Sequence, residues 1–296
     1  MERIFVVAGP TASGKTAVSI ELAKFLGGEV ISADSMQVYR GMDIGTAKPT
    51  MEERADIPHH MIDIVDPDVA YSVALFQRQA REVIAEVISR GKVPIVCGGT
   101  GFYINALLRD VRFGAAEMDL PPGDYYEELK AADPAAAEAI HPNNIKRVTR
   151  ALSYIRATGQ LFSEYNAAQK EQPWLYDAVF CYLDISRPVL YERINRRVLD
   201  MFNAGLLEEV AGLLAKGYHS GLVSMQGIGY KETIRYLQNE LSLEDTVALI
   251  QQNSRKYAKR QVTWFKHQVP GAIQIPAENC PTTKIASTIA LKPIRH

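Results

Sequence analysis

The sequence predicts an α/β fold: a P-loop parallel sheet with helices on both faces, plus a helical insertion domain. Near-continuous apolar runs alternate with helical patterns over residues 4–104 and again over 178–275. That alternation is typical of parallel strands buried on both faces. Between these regions the chain is Ala-rich and helical, without a clear strand. We therefore expect an α/β core made of residues 1–112 and 176–296, with the insertion at 113–175.

A glycine-bounded loop follows the first predicted strand, residues 4–8, and precedes a predicted helix over 17–26. Its residues are Gly9, Pro10, Thr11, Ala12, Ser13, Gly14, Lys15 and Thr16. This is the Gly-x4-Gly-Lys-Thr pattern of a P-loop, in which backbone N–H groups and a helix N-terminus surround a phosphate. Lys15 adds a point charge, and the Thr16 hydroxyl can ligate Mg²⁺. The loop predicts a phosphate or diphosphate site, without saying whether the phosphate is transferred or leaves.

Two further predicted strands end in residues that are suited to a functional site. The strand at 29–33 runs into Asp34 and Ser35, and the strand at 93–97 runs into the glycine-rich segment 98–101. Between them, the polar stretch 36–68 has little periodicity, and Ser72 is a suitable N-cap for the next helix. Because parallel strands end at one edge of a sheet, we expect the P-loop and both of these strand ends to converge there.

After the insertion, we expect a strand at 178–184, helices at 188–204, 206–216 and 243–267, and a strand at 272–275. Four arginines lie in or directly before the first of these helices. Arg187 precedes it, and Arg193, Arg196 and Arg197 lie within it. In P-loop enzymes, arginines in this position often close over the phosphates, which their bidentate geometry suits.

Composition excludes several classes of protein. The chain is 47% hydrophobic and 23% charged with a formal net charge of −1, so any nucleic-acid site must be local. The three cysteines match no zinc spacing, which fits a reducing compartment. No leader pattern and no apolar run of ~20 residues is present, so we expect a cytoplasmic protein without membrane contact.

The adjacent His59 and His60 are expected to be structural, since no third ligand lies nearby.

Two stretches without acidic residues, 141–163 and 246–268, break the neutral average. The first carries Lys146, Arg147, Arg150 and Arg156. The second carries Arg255, Lys256, Lys259, Arg260 and Lys266, interleaved with Tyr257, Trp264 and Phe265. Such a pattern suits an RNA backbone with unstacked bases. A solvated helix face whose aromatics belong to the core is an equally good interpretation.

Motifs along nearly the whole chain closely resemble the tRNA dimethylallyltransferases, also called tRNA isopentenyltransferases. In family order, the matching blocks are Gly9-Pro-Thr-Ala-Ser-Gly-Lys-Thr16, Asp34-Ser-Met-Gln-Val-Tyr-Arg40, Gly41-Met-Asp-Ile-Gly-Thr-Ala-Lys-Pro49, Pro58-His-His-Met-Ile-Asp63, Gly98-Gly-Thr-Gly-Phe-Tyr103, Arg147-Val-Thr-Arg-Ala-Leu152, Gly205-Leu-Leu-Glu-Glu-Val210, Gln226-Gly-Ile-Gly-Tyr-Lys-Glu232 and Tyr257-Ala-Lys-Arg-Gln-Val-Thr-Trp-Phe265. The zinc finger of eukaryotic members is absent from the sequence, which favours the bacterial type.

The resemblance implies transfer of a dimethylallyl group from dimethylallyl diphosphate to N6 of the adenine 3′ of the anticodon. The tRNAs concerned read codons that begin with U. Lys15, the loop and Mg²⁺ would stabilise the leaving diphosphate, with Arg197 as the closing arginine. Asp34 would be the base that removes the N6 proton, although a second-shell Mg²⁺ ligand is the alternative. Thr100 would hydrogen-bond near the target base.

The resemblance also implies a set of tRNA contacts, because the adenine must be flipped out of the anticodon loop to react. They are Asp34, Ser35, Met36, Gln37, Thr100, Lys146, Arg147, Val148, Thr149, Arg150, Gln226, Arg255, Lys256, Lys259 and Arg260. No protein partner is implied, and we expect a monomer.

Three competing interpretations stay open. A P-loop kinase of a nucleotide or small metabolite would share the loop and the arginines, but not the ordered blocks. The family branch that prenylates free AMP or ADP would not need the basic helices. A non-enzymatic RNA-binding protein would not need an intact Lys15, Thr16 and Asp34.

Overall fold

The computed structural model describes residues 2–111, 113, 120–121, 123–269 and 271–293. The chain divides into two compact units. The larger, called the α/β unit, consists of Met1–Leu108 and Tyr176–His296; the smaller, called the helical unit, is Arg109–Leu175. No helix among the described residues combines the length and the apolar character that a bilayer crossing requires.

The secondary structure alternates in the α/β unit and is wholly helical, apart from an isolated bridge, in the described part of the helical unit. The strands are β1 (Arg3–Ala8), β2 (Gly28–Ser32), β3 (His59–His60), β4 (Val93–Gly98), β5 (Asp177–Asp184) and β6 (Ile273–Pro276). The helices are α1 (Lys15–Leu26), α2 (Met51–Arg54), α3 (Val73–Ser89), α4 (Gly101–Leu108), α5 (Tyr126–Ala132), α6 (Pro134–Ala139), α7 (Ile145–Thr158), α8 (Phe162–Glu171), α9 (Arg187–Asn203), α10 (Leu206–Ala215), α11 (Tyr230–Leu237), α12 (Leu243–Gln268) and α13 (Thr282–Ala290). Helices α5 to α8 belong to the helical unit.

The six strands form one parallel sheet in the order β3-β2-β4-β1-β5-β6, which confirms the predicted α/β fold. Strand β1 lies between β4 and β5, so Val7 pairs with Cys97 on one side and with Cys181 on the other. Its apolar residues are buried, as the continuous run in the sequence indicates. The P-loop therefore leaves the sheet near its centre.

The polar stretch after β2 is held by a buried charge as well as by Val38, Tyr39 and Met42, which pack in a core cluster with residues of α9 and α10. The Lys48 side chain is only 3% exposed, and its Nζ bonds the carboxylates of Asp43 (2.7 Å) and Asp63 (2.5 Å) and the Tyr39 carbonyl (2.5 Å). A buried ammonium is tolerated when its donors are satisfied in this way. The stretch is thus ordered without a long helix or strand.

Both adjacent histidines make structural contacts at the sheet edge. His59 Nδ1 donates to the Ile57 carbonyl at 2.8 Å, and burial lowers the pKa of His59. His60 Nε2 lies 2.6 Å from a carboxylate oxygen of Glu29, which also accepts a bond from Arg90. Burial acts to raise the pKa of Glu29, but these two bonds outweigh it and the pKa is lowered.

The helical unit has its own core, formed around α5, α6, α7 and α8. Leu129, Val148 and Phe162 are among its buried residues. The buried Asp133 carboxylate caps α6 through the Ala136 N–H and also accepts the Ser163 N–H at 2.8 Å. One side chain thus fixes the start of α6 relative to α8.

Candidate active site

The P-loop and the ends of β2 and β4 meet at the carboxyl edge of the sheet, as the strand order predicts. The Ser35 N–H, after β2, donates to the Thr100 hydroxyl, after β4, at 3.4 Å. Beside them lies a cavity of about 860 Å³ whose wall includes Lys15, Asp34 and Arg197. Every residue lining it belongs to the α/β unit.

Local geometry explains the glycines of the P-loop. Gly14 has φ +83°, in the left-handed region that disfavours a side chain, and it immediately precedes α1. A Cβ on Gly9 would lie 2.7 Å from the buried Ser13 hydroxyl, so only glycine lets the loop close. The Ser13 N–H bonds the Pro10 carbonyl at 3.2 Å. Lys15 and Thr16 then stand at the first turn of α1, where unpaired N–H groups attract an anion.

Positive charge gathers around this turn. Burial lowers the pKa of Lys15, and the nearby Asp34 carboxylate works in the opposite direction. Burial also lowers the pKa of Arg197, again offset in part by Asp34. The Arg197 Nη1 donates to the Thr11 hydroxyl at 2.9 Å. Two partly buried cations beside one carboxylate form a site that favours a multiply charged anion.

Asp34, which lies near both cations, is held by a local turn. Its Oδ1 accepts the Met36 N–H at 2.9 Å, so the side chain bonds its own backbone two residues on. Tyr257 lies close by and bonds the side chains of Thr100 and Gln261. Burial and the Asp34 charge raise the pKa of Tyr257 to about 12, so its phenol is protonated at neutral pH.

Two of the predicted tRNA contacts, Met36 and Gln37, form part of the cavity wall. The Gln37 amide accepts from the Ser32 hydroxyl at 2.9 Å and donates to the carbonyls of Thr46 and Ala47, each at 3.3 Å. Gln37 is therefore occupied within the protein. Met36 Cε fills the space that a Cβ on Gly227 would take, at 2.6 Å. Both still line the cavity, as does Ser35.

The acid-free part of α12 combines exposed basic side chains with aromatics that differ in burial. Lys256, Lys259 and Arg260 are exposed, whereas Phe265 is 2% exposed and packs 5.4 Å from the ring of Tyr182. The interpretation that places these aromatics in the core is therefore correct for Phe265. Trp264 is partly exposed and packs over Gly101, and the Arg260 guanidinium lies 5.6 Å from the centre of the Tyr257 ring.

Other predicted RNA contacts differ in how accessible they are. Arg255 donates to the Asn195 side chain at 2.5 Å, and the exposed Gln226 donates to the Ser220 carbonyl. In the helical unit, Lys146, Arg147 and Arg150 are exposed on α7. Val148 is 2% exposed within the core of that unit, so its side chain is no contact, and Thr149 is partly buried.

Glu209, Tyr230 and Gln261 shape the site, although no role for them was predicted from the sequence. The Glu209 carboxylate accepts the N–H groups of Asp43, Ile44 and Gly45 at 2.9, 2.7 and 3.1 Å, and the Tyr230 hydroxyl at 2.6 Å. It thereby fixes the segment 43–47, part of which lines the cavity. The one trace of these contacts in the sequence is the glycine at position 45. An added Cβ there would lie 2.5 Å from the Tyr230 ring.

Comparisons with known proteins agree on one family. The family model described as IPP transferase matches residues 37–268. A tRNA dimethylallyltransferase of Lachnoclostridium phytofermentans is 48% identical over 281 residues, covering 90% of each chain, and one of Bacillus pumilus is 48% identical over 90% of this chain and 87% of its own.

Solved structures agree with this family assignment. The crystal structure of a tRNA isopentenylpyrophosphate transferase from Staphylococcus epidermidis matches with a TM-score of 0.76 and 42% identity over 98% of both chains. A eukaryotic dimethylallyltransferase, seen in crystallographic snapshots acting on tRNA, matches with a TM-score of 0.85 and 30% identity. That match covers 100% of this chain and 81% of the other.

Proposed function

Because the chain belongs to the IPP transferase family, we propose that it transfers a dimethylallyl group to tRNA. The donor is dimethylallyl diphosphate, and the acceptor is N6 of the adenine immediately 3′ of the anticodon in tRNAs reading codons that begin with U. The observation that carries this proposal is one cavity lined by a P-loop lysine, a second cation and a carboxylate, namely Lys15, Arg197 and Asp34. The family match supports the motif resemblance.

The cationic side of the cavity suits the leaving group. As the allylic C–O bond breaks, negative charge develops on the diphosphate. Lys15 and the N–H groups at the start of α1 are fixed donors in a partly water-excluded place, where such groups stabilise developing charge most strongly. Arg197, held on Thr11, adds a planar donor suited to phosphate oxygens.

The residues present fit a Mg²⁺ ion. Mg²⁺ prefers hard oxygen ligands and usually keeps several waters, with one or two protein ligands and phosphate oxygens completing its shell. The Thr16 hydroxyl lies at the start of α1 and lines the same cavity as the Asp34 carboxylate. The described residues contain no group of three His, Cys, Asp or Glu ligands, and a P-loop Mg²⁺ site does not require one. When bound through Thr16, Mg²⁺ would neutralise part of the diphosphate charge.

Asp34 is the proposed base. The adenine amine is a poor nucleophile because its lone pair is delocalised into the ring, so removing the N6 proton as the new C–N bond forms contributes ~10²–10⁴-fold. The Thr100 hydroxyl accepts the N–H of Ser35, the residue after Asp34, and also bonds Tyr257. Because the Tyr257 phenol is protonated at neutral pH, its hydrogen bond to Thr100 adds no charge beside the target base.

The tRNA would enter with its target base flipped out of the anticodon loop. A volume of about 860 Å³ accommodates an adenine together with a five-carbon group, because small-molecule sites span ~300–1,000 Å³. Each unit carries an exposed basic helix surface suited to phosphates: Lys256 and Lys259 on α12, and Lys146 and Arg147 on α7.

A single reaction tests the proposal. The protein is incubated with Mg²⁺, dimethylallyl diphosphate and an unmodified tRNA that has adenine 3′ of its anticodon, and the digested nucleosides are weighed. We expect one adenosine to gain one dimethylallyl group, and the Lys15→Ala variant to lose this product. Prenylation of AMP but not of tRNA would overturn the acceptor. Consumption of ATP without any prenyl transfer would overturn the reaction and favour a kinase.

A further inference from the structure

Three glycines at the end of β4 and directly after it each make room for a residue that is distant along the chain, and two of those residues lie on α12. A Cβ on Gly98 would meet the Ala33 carbonyl at 2.3 Å. One on Gly99 would meet Gln261 Nε2 at 2.3 Å, and one on Gly101 would meet Trp264 at 2.1 Å. The helix that presents the exposed lysines is therefore in direct contact with the strand end that bears Thr100.

Gln261 connects this strand end to the P-loop. It is 6% exposed; its Nε2 donates to the Gly99 carbonyl at 2.9 Å, and its Oε1 accepts the Thr11 N–H at 2.9 Å. Only a side chain with one donor and one acceptor satisfies both groups, which an amide does. Gln261 therefore fixes the peptide group at Thr11 instead of merely filling space.

Thr11 is also the anchor of the closing arginine. Its hydroxyl accepts Arg197 Nη1 at 2.9 Å, and the orientation of that hydroxyl depends on the peptide that Gln261 holds. A continuous chain of hydrogen bonds thus runs from Gln261 through Thr11 to Arg197. The chain crosses three elements, namely α12, the P-loop and α9.

We propose that Gln261 is a positioning residue that sets Arg197 against the diphosphate, acting through Thr11. This inference rests on the proposed function, since it takes the P-loop ligand to be a diphosphate. Without the amide, the Thr11 N–H loses its partner, the loop peptide can rotate, and the guanidinium loses its fixed acceptor. The effect falls on diphosphate affinity before it falls on RNA affinity.

The test is a double-mutant cycle read out by calorimetric binding of inorganic pyrophosphate with Mg²⁺. Gln261→Met keeps the side-chain length but loses the hydrogen bonds to Thr11, Gly99 and Tyr257, and we expect pyrophosphate affinity to fall about tenfold. In an Arg197→Met background the same change should weaken binding less than about twofold, because its target is already gone. Gln77→Met, which removes a bond to the Ala106 carbonyl, is the matched control and should leave binding unchanged.

The outcomes separate this inference from the proposed function. If the fold-changes of Gln261→Met and Arg197→Met multiply, Gln261 does not act through Arg197 and the inference is wrong. If the wild type binds pyrophosphate with the expected coupling but prenylates no tRNA, the proposed function fails and the positioning role stands. Should Gln261→Met not fold, Gln261→Asn replaces it, since its shorter amide cannot span Thr11 and Gly99. Unchanged pyrophosphate affinity in Gln261→Asn would then overturn the inference.

Discussion

Replacing Glu209 with alanine should destabilise the α/β unit by about 3 kcal/mol, since hydrogen bonds to a charged acceptor contribute ~1.5–3 kcal/mol each. Glu209 accepts three backbone N–H groups, from Asp43, Ile44 and Gly45, and the Tyr230 hydroxyl. The full sum of four bonds is not expected, because the carboxylate is partly exposed and water can replace some of them. A loss of this size is a large fraction of the ~5–15 kcal/mol that stabilises a domain.

The measurement is urea unfolding at neutral pH, comparing Glu209→Ala with Glu208→Ala. Glu208 is exposed and lies in the same first turn of α10, so both variants lose the same helix-dipole interaction and only one loses the bonds to 43–45. We expect Glu208→Ala to stay within about 1 kcal/mol of wild type. Equal destabilisation by the two variants would refute the reasoning, because the bonds to the segment 43–47 would then contribute nothing.

Three other predictions concern chemistry, RNA and acid stability. Asp34→Asn should keep tRNA and diphosphate binding but lose ~10²–10⁴-fold in single-turnover rate; a near-normal rate would exclude Asp34 as the base. The double variant Lys256→Ala/Lys259→Ala should weaken tRNA binding and reduce the slope of log affinity against log salt by up to about two, while an unchanged slope would remove this surface from the interface. Glu29 keeps a pKa below its ordinary value of 4.5, so the stability it contributes is present above that pH and is lost as the pH falls through its folded pKa. Glu29→Gln should therefore show a smaller loss of stability between pH ~6 and pH ~3 than wild type, as measured by urea midpoints, and equal acid sensitivity would contradict this assignment.

The sheet could be predicted because its central strands are long apolar runs ending at glycine or polar residues. The expected bounds for β1, β2, β4 and β5 differ from the observed ones by no more than one residue at any end. Strand β3 was missed because it is a two-residue edge strand defined only by its pairing with β2. Helix α13 was missed because its Thr- and Ala-rich sequence has a weak helical signal. It is stabilised by burying Ile285, Ala286 and Ile289 in the core beside α1.

The site could be predicted only in part, because a motif identifies a segment and not the direction of each side chain. Lys15, Asp34 and Arg197 line one cavity, as spacing and strand order indicate. Gln37 and Val148 lie in segments assigned to RNA binding, yet one bonds the cavity wall and the other fills a core. Backbone direction after β2 and the buried face of α7 decide these two cases, and neither follows from a motif match.

Contacts between distant blocks were beyond reach for a different reason. The partners of Glu209 and Gln261 lie 164 and 250 residues away along the chain, at Gly45 and Thr11, so no local pattern connects them. Each appears in the sequence as an ordinary helix residue. Only the fold shows that their bonds end on backbone groups of two loops that line the cavity.

These distant contacts explain why the ordered set of sequence blocks is more informative than any single block. In several blocks a glycine makes room for a side chain from another block, at distances that an added Cβ would not allow. The pairs are Gly45 with Tyr230, Gly99 with Gln261, Gly101 with Trp264, and Gly227 with Met36. Five of the nine blocks, namely 34–40, 41–49, 98–103, 226–232 and 257–265, are therefore shaped to contact one another, and all of these contacts lie in the α/β unit. A protein that kept the P-loop alone would keep a phosphate site, whereas Asp34 stands in a second block whose neighbouring Met36 packs against Gly227 of a third.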